Sequence, residues 1–297
     1  MAVAQLGSER LDVTQEVEGS IPSGHPNSTN SIISFSATVY NTEGCSLALD
    51  ELNEGVRLNV DIIASLRPLD VLPDDKLRDR DELRRVIAEC GLNGEFAGDW
   101  PQSLYKHLGG GLRVWQYPVQ FADYLIFLSR FKVSRYLEIG ARDGGTMVLT
   151  VAYLSRFHPL VEAIGVDIET ESAVCEIYRS LNPVCSFVVA NSQTEGFGKF
   201  LRNYDFDLVL VDGEHSVKGM VFDFENAAAS GAKLISCHDI WNNGLRDQCC
   251  KGWMEIKKRY NRDYYFVEFV GQYDEMRGFS NYPNLGMGLA VRSDCYV

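Results

Sequence analysis

Four short stretches of the chain end an apolar run on polar groups that can do chemistry: "RYLEIGARDGGT" (135–146), "GVDI" (165–168), "LVLVDGEHS" (208–216) and "KLISCHD" (233–239). Together they supply carboxylates at Glu138, Asp167, Asp212 and Asp239 and imidazoles at His215 and His238. Carboxylates beside imidazoles can share a divalent cation or relay a proton, and a histidine titrates in the range a general base needs. His215, His238 and Asp212 are therefore the catalytic candidates. The remaining histidines, His25, His107 and His158, lie outside these stretches.

The first stretch has a different use. Gly140 and Gly144 let the turn after a strand approach a ligand without a side chain in the way, and a helix starting near Gly145 would aim free N–H groups at it. The pattern E-x-G-x-x-x-G departs from the dinucleotide pattern G-x-G-x-x-G, because Arg142 stands where a second glycine admits a pyrophosphate. A ligand without a pyrophosphate fits better. Asp167, 27 residues beyond Gly140 at the end of the next apolar run, is placed to accept hydrogen bonds from the two hydroxyls of a ribose.

Elements must hold these groups together. From residue 135 onward, short β-type runs ("RYLEIG", "EAIGVDI", "CSFVVA", "FDLVLVDG", "AKLISCHD", "YYFVEFV") alternate with helical stretches such as "GTMVLTVAYLSRF", "VKGMVFDFENAAA" and "LRDQCCKGWMEIKKRY". That alternation predicts right-handed βαβ units and a doubly wound, mainly parallel α/β sheet. In such sheets ligands sit beyond the carboxyl ends of the strands, where Glu138, Asp167, Asn191-Ser192, Asp212 to His215 and His238-Asp239 all fall. A last run, "MGLAVRS", follows a Gly-rich loop without an intervening helix and is expected to return antiparallel.

Upstream the pattern changes twice. Residues 1–46 are rich in Ser, Asn, Thr and Gly with little apolar periodicity, which predicts a disordered tail. Within it, "AVAQLGSERLDVTQEVEGSIPSGHP" resembles translated transfer-RNA gene sequence, which implies a segment with no function of its own. Residues 47–134 read as a helical segment capping a sheet domain of 135–297, with Asp74 or Asp75 as the cap of its second helix. Its "GGGLRVWQYP" (109–118) reads as a mobile aromatic loop that closes over a ligand. With the loop at 271–288, it would set specificity.

Bulk properties narrow the partners. A net charge of -13 over 297 residues argues against nucleic acid, whose phosphates would be repelled. No apolar run reaches the roughly 20 residues that span a bilayer, and no signal peptide is evident, so the expectation is a soluble, cytoplasmic protein without a membrane partner. The eight cysteines include no C-x-x-C and sit largely in apolar runs, as reduced core thiols would. Self-association is left open.

From about residue 109 onward, "LRVWQYPVQFADYLIFLSRFKVSRYLEIGARDGGT", "GVDI" and "LVLVDGEHSVKG" resemble the class I S-adenosylmethionine-dependent methyltransferases, in the branch that includes the cephalosporin hydroxylase family and small-molecule O-methyltransferases. The resemblance implies a Rossmann-like methyltransferase fold with S-adenosylmethionine as cofactor. It makes Glu138, Gly140, Arg142 and Gly144 the methionine-side loop, Asp167 the ribose ligand, and Ser192 a neighbour of the adenine, with Asp212 as a further contact. The catechol-type members hold a divalent cation such as Mg²⁺ at positions that correspond here to Asp212, His238 and Asp239. The implied reaction is O-methylation of a small-molecule acceptor, a sugar or secondary metabolite. A nicotinamide-dependent oxidoreductase and a non-catalytic cofactor-binding module are the alternatives, the first disfavoured by Arg142 and by the lack of a Tyr-x-x-x-Lys pair.

Overall fold

The apolar runs at the centre of the sheet form strands buried on both faces, as central parallel strands must be. In the computed structural model, which describes residues 61–241, 248–279 and 282–295, β1 is Arg135–Ile139, β2 Glu162–Asp167, β3 Cys185–Val189, β4 Leu208–Val211, β5 Leu234–His238, β6 Tyr264–Phe269 and β7 Met287–Arg292. Among the described residues they make one seven-stranded sheet in the order β3-β2-β1-β4-β5-β7-β6. β1 to β5 pair parallel, and β7 runs antiparallel between β5 and β6. This is the doubly wound, mainly parallel sheet expected, and the return of β7 is as read from its missing crossover helix.

Helices α1 (Arg80–Glu89), α2 (Pro118–Leu128), α3 (Gly145–Ser155) and α4 (Ala173–Leu181) cover one face. Helices α5 (Glu195–Arg202), α6 (Val217–Ala229) and α7 (Cys249–Tyr260) cover the other. Alternation along the strands divides the core between them. Tyr136, Leu208, Leu210 and Leu234 pack with Leu83, Phe121 and Leu149, while Leu137, Val209, Val211 and Ile235 pack with Phe224 and Trp253. At about 1.5–3 kcal/mol for each large side chain taken from water, these two layers dominate the stability of the fold. The helices before β1 share the first layer, so they cover the sheet directly. All the described residues fall within one compact unit, Glu51–Val297.

Local chemistry fixes where the helices after the strands begin. Ser172, Thr194 and Ser216 each accept a hydrogen bond from a backbone N–H three residues on, the arrangement of a helix N-cap. Each cap stands just beyond a polar strand end, so it also ties down the loop that carries the polar groups. Near the N-terminal side the expected cap is corrected. Asp74 and Asp75 lie inside a one-turn helix, Asp74–Leu77, and Asp79 caps α1 by accepting from the N–H of Glu82 at 2.9 Å. The apolar spacing ran across that break and concealed it.

Among the described residues seven cysteines are free and five of them are buried, and no helix is long and apolar enough to cross a membrane. The expectations for residues 1–46 lie outside the described residues.

Candidate active site

The carboxyl ends of β1, β2, β4 and β5 open into a cavity of about 820 Å³, lined by Glu138 to Thr146, Asp167, Ser192, Asp212 to His215, His238 and Asp239. Small-molecule sites commonly fall between about 300 and 1,000 Å³, so this one has room for a nucleoside cofactor and a second small molecule.

On the β1 side a glycine loop forms the floor. Gly140 has φ +86°, and a Cβ there would lie 2.1 Å from the carbonyl oxygen of Asp212. Only glycine lets the ends of β1 and β4 approach this closely. Gly144, at φ +79°, turns the chain into α3. Between them Arg142 also has a positive φ and donates its backbone N–H to Oδ2 of Asp167 at 2.7 Å, while Oδ1 of Asp167 accepts from the N–H of Glu169 at 3.0 Å. The carboxylate of Asp167 is thereby oriented at the cavity wall with acceptor capacity left on each oxygen. The Arg142 guanidinium turns aside, pairing with Glu95 and lying 4.3 Å from the ring centroid of Trp115.

Glu138 is buried and accepts a hydrogen bond from the Tyr136 hydroxyl. Burial pushes its carboxyl up to about 8; the Tyr136 hydrogen bond opposes the rise and the nearby Asp212 charge adds to it. Ser192 is buried too. Its hydroxyl donates to Oδ2 of Asp223 at 3.0 Å, and the Gln193 side-chain amide donates to the same oxygen at 2.9 Å. Asp223 is fully buried on α6, where burial raises its carboxyl to about 7 against the hydrogen bonds of Ser192 and Gln193. The sequence reading missed Asp223, although an acid between two phenylalanines in an apolar helix was a visible signal.

Across the cavity stand Asp212, His215, His238 and Asp239. His215 Nε2 lies 3.3 Å from Asp212 Oδ1 and its Nδ1 3.6 Å from Asp239 Oδ2. His238 Nδ1 is 3.0 Å from Asp212 Oδ1 and 3.4 Å from Asp239 Oδ1, yet neither of its ring nitrogens has the geometry of a hydrogen bond. These are charge contacts. Burial would lower the His238 value, but the charges of Asp212 and Asp239 prevail and hold it up at about 10. For Asp212 burial works upward, and the charge of His238, with the hydrogen bond and charge of His215, brings it down to about 2. Burial raises Asp239. Asp239 also sits in the left-handed region at φ +58°, a strained backbone of the sort that clusters at functional sites.

Asp212, His215 and Asp239 present ligand atoms that all lie within 4.8 Å of one another. Two carboxylates and one imidazole form a donor set for a divalent cation. His238, in the set carried over from the catechol-type enzymes, is not in this group, and His215 takes its place.

The remaining wall comes from the two segments read as specificity loops. The mobile aromatic loop expected at 109–118 is corrected. Leu112, Val114, Gln116 and Tyr117 are buried, and the backbone is tied to 90–93 by bonds from Leu112 N–H to Cys90 O, Val114 N–H to Gly91 O and Asn93 N–H to Val114 O, at 2.8–3.0 Å. Only Arg113 and Trp115 of this segment face the cavity. The glycine run gave no hint of this pairing with distant chain. From the second segment, Asn284 and Leu285 line the cavity, held by Gln120, which donates to the carbonyls of Gly271 and Asn284 and accepts from the N–H of Gly286.

The strand order and the cavity's position put the chain among the doubly wound α/β proteins that take a ligand at the carboxyl ends of their strands. No protein-family model matches it, and no curated protein matches its sequence. Similar solved structures include the O-methyltransferase TomG from Streptomyces achromogenes, involved in tomaymycin synthesis and crystallised with S-adenosylmethionine, at 16% identity over 80% of this chain and 98% of that one, TM-score 0.45. An O-methyltransferase from Bacillus cereus in complex with S-adenosylhomocysteine matches at 15% identity over 79% and 99%, TM-score 0.43. The N-methyltransferase NodS from Bradyrhizobium japonicum, with S-adenosylhomocysteine, matches at 15% identity over 58% and 85%, TM-score 0.36.

Proposed function

We propose that the chain is an S-adenosylmethionine-dependent methyltransferase that methylates an oxygen of a small molecule, with a divalent cation at Asp212, His215 and Asp239. The observation that carries the reading is one cavity with two chemically distinct walls. The glycine loop and Asp167 suit the methionine and ribose parts of a nucleoside cofactor, and the acid–histidine cluster faces them. A dinucleotide is disfavoured by the chain itself. A Cβ on Gly145 would lie 2.2 Å from the Leu112 carbonyl oxygen, so residues 112–114 pack against the first turn of α3, where a pyrophosphate would rest.

The cofactor supplies an electrophilic methyl group on a sulfonium, and a cation lowers the pKa of an acceptor hydroxyl bound to it. The residues do the positioning, which can by itself supply much of the rate of an in-line displacement. Asp167 accepts from the ribose hydroxyls, and the Ser192–Gln193 turn, fixed by Asp223, borders the base. His238 lies against Asp212 and Asp239, and its contact with Asp212 favours the ionised carboxylate. His215, half-exposed at the cavity, is the histidine that can reach an acceptor; as a general base without a cation it gives the second reading.

Two measurements test this. Protein purified without added cofactor and then denatured should release S-adenosylmethionine or S-adenosylhomocysteine, identified by mass spectrometry. A nicotinamide dinucleotide in their place would establish the oxidoreductase. Titration with Mn²⁺ followed by electron paramagnetic resonance should show binding that Asp239→Asn removes. Equal Mn²⁺ binding by both proteins would discard this cation site and leave His215 as the base.

A further inference from the structure

The glycine loop between β1 and α3 is held in an unfavourable shape. Gly140, Arg142 and Gly144 all have positive φ, and at Arg142, which carries a Cβ, that conformation is disfavoured. Neighbouring chain ties the loop down at Asp143. On one side the Ser172 hydroxyl donates to the Asp143 carbonyl at 2.7 Å. On the other stands Asn93, fifty residues earlier and outside the sheet domain, whose Nδ2 donates to Oδ2 of Asp143 at 2.7 Å.

Asn93 is built to make that contact. It is 3% exposed, and both ends of its amide are engaged, because Oδ1 accepts from the N–H of Glu95 at 2.8 Å. Its own N–H donates to the Val114 carbonyl at 3.0 Å, and Leu92 before it exchanges bonds with His107 and Gly109 at 2.8 Å, so the backbone that carries the amide is pinned. A second tie from the same segment, Glu95 to Arg142, joins side chains 50% and 54% exposed. Water and salt screen such a pair. The bond from a buried amide to the carboxylate of Asp143 is charge-assisted and shielded, so it is the stronger of the two. The position asks for a side chain that both donates and accepts. Leucine does neither, and a carboxylate would face the one on Asp143.

We propose that Asn93 is a positioning residue for the cofactor loop, holding 140–144 in its strained shape through Asp143; the inference rests on the methyltransferase reading. Two measurements on the full chain test it. In hydrogen exchange read by mass spectrometry without ligand, the amides of 140–146 should exchange roughly 10-fold faster in Asn93→Leu and Asn93→Asp than in the wild type, with those of β4 unchanged. In calorimetric titration both variants should bind S-adenosylhomocysteine roughly 10-fold more weakly, the worth of a hydrogen bond to a charged group. Asn93→Asp combined with Asp143→Asn restores an amide–carboxylate pair with the donor on the other side, and the new carboxylate can still accept from the Glu95 N–H. This double variant should recover most of both losses. Wild-type exchange and affinity in the single variants, a loss that the double variant fails to recover, or faster exchange throughout the sheet each overturns the proposal. If the wild type does not bind S-adenosylhomocysteine, the methyltransferase reading falls, and the exchange measurement still decides whether Asn93 holds the loop.

Discussion

Asp223 shows how a single buried carboxyl couples the site to the stability of the molecule. Burial, with a smaller push from the Glu214 charge, raises it to about 7, whereas an unfolded aspartate titrates near 3.9. Between those values the folded chain keeps a proton that the unfolded chain has released, so this group's contribution to stability falls as pH rises from about 4 to about 7. Asp223→Asn carries no ionisable group there. Its melting temperature should therefore decline less across that window than the wild type's, as followed by circular dichroism at several pH values. Parallel curves for the two proteins would show that burial does not raise Asp223.

At the scale of elements, the junction between β1 and α3 is the most constrained part of the site. Gly140→Ala places a Cβ at a positive φ, which costs about 1–2 kcal/mol for the backbone alone, and drives it against the Asp212 carbonyl. Relief requires the end of β4 to move, which shifts Asp212 and with it the cation group. The variant should melt lower by several degrees and lose affinity for Mn²⁺ and for the nucleoside together. A variant that melts lower yet keeps both affinities would show that the two walls are built independently. The strands, the helices after them and the polar strand ends were legible in the sequence because each is local: an apolar run, a helical spacing, a glycine at a turn. What escaped was made by distant chain. Residues 109–118 were pinned by residues 90–93, and Asp223 reached the cavity loop from a helix; the Asp79 cap was a local miss, hidden by apolar spacing that ran across the break before it. The grouping of His215 with Asp212 and Asp239 likewise joins the loop beyond β4 to the end of β5.

For the whole molecule, the charge of -13 leaves a wall of carboxylates around a cavity that asks for a ligand with a positive centre and hydroxyl groups. A sulfonium nucleoside has both. The central claim is that this cavity takes S-adenosylmethionine, and the most direct test is calorimetric titration of the purified full chain with S-adenosylhomocysteine, with NAD as the comparison. The account predicts one-to-one binding of S-adenosylhomocysteine, no heat with NAD, and a loss of roughly 1.5–3 kcal/mol of binding free energy in Asp167→Ala, the range for a hydrogen bond to a charged group. Binding of NAD with none of S-adenosylhomocysteine, or wild-type affinity in Asp167→Ala, would contradict it.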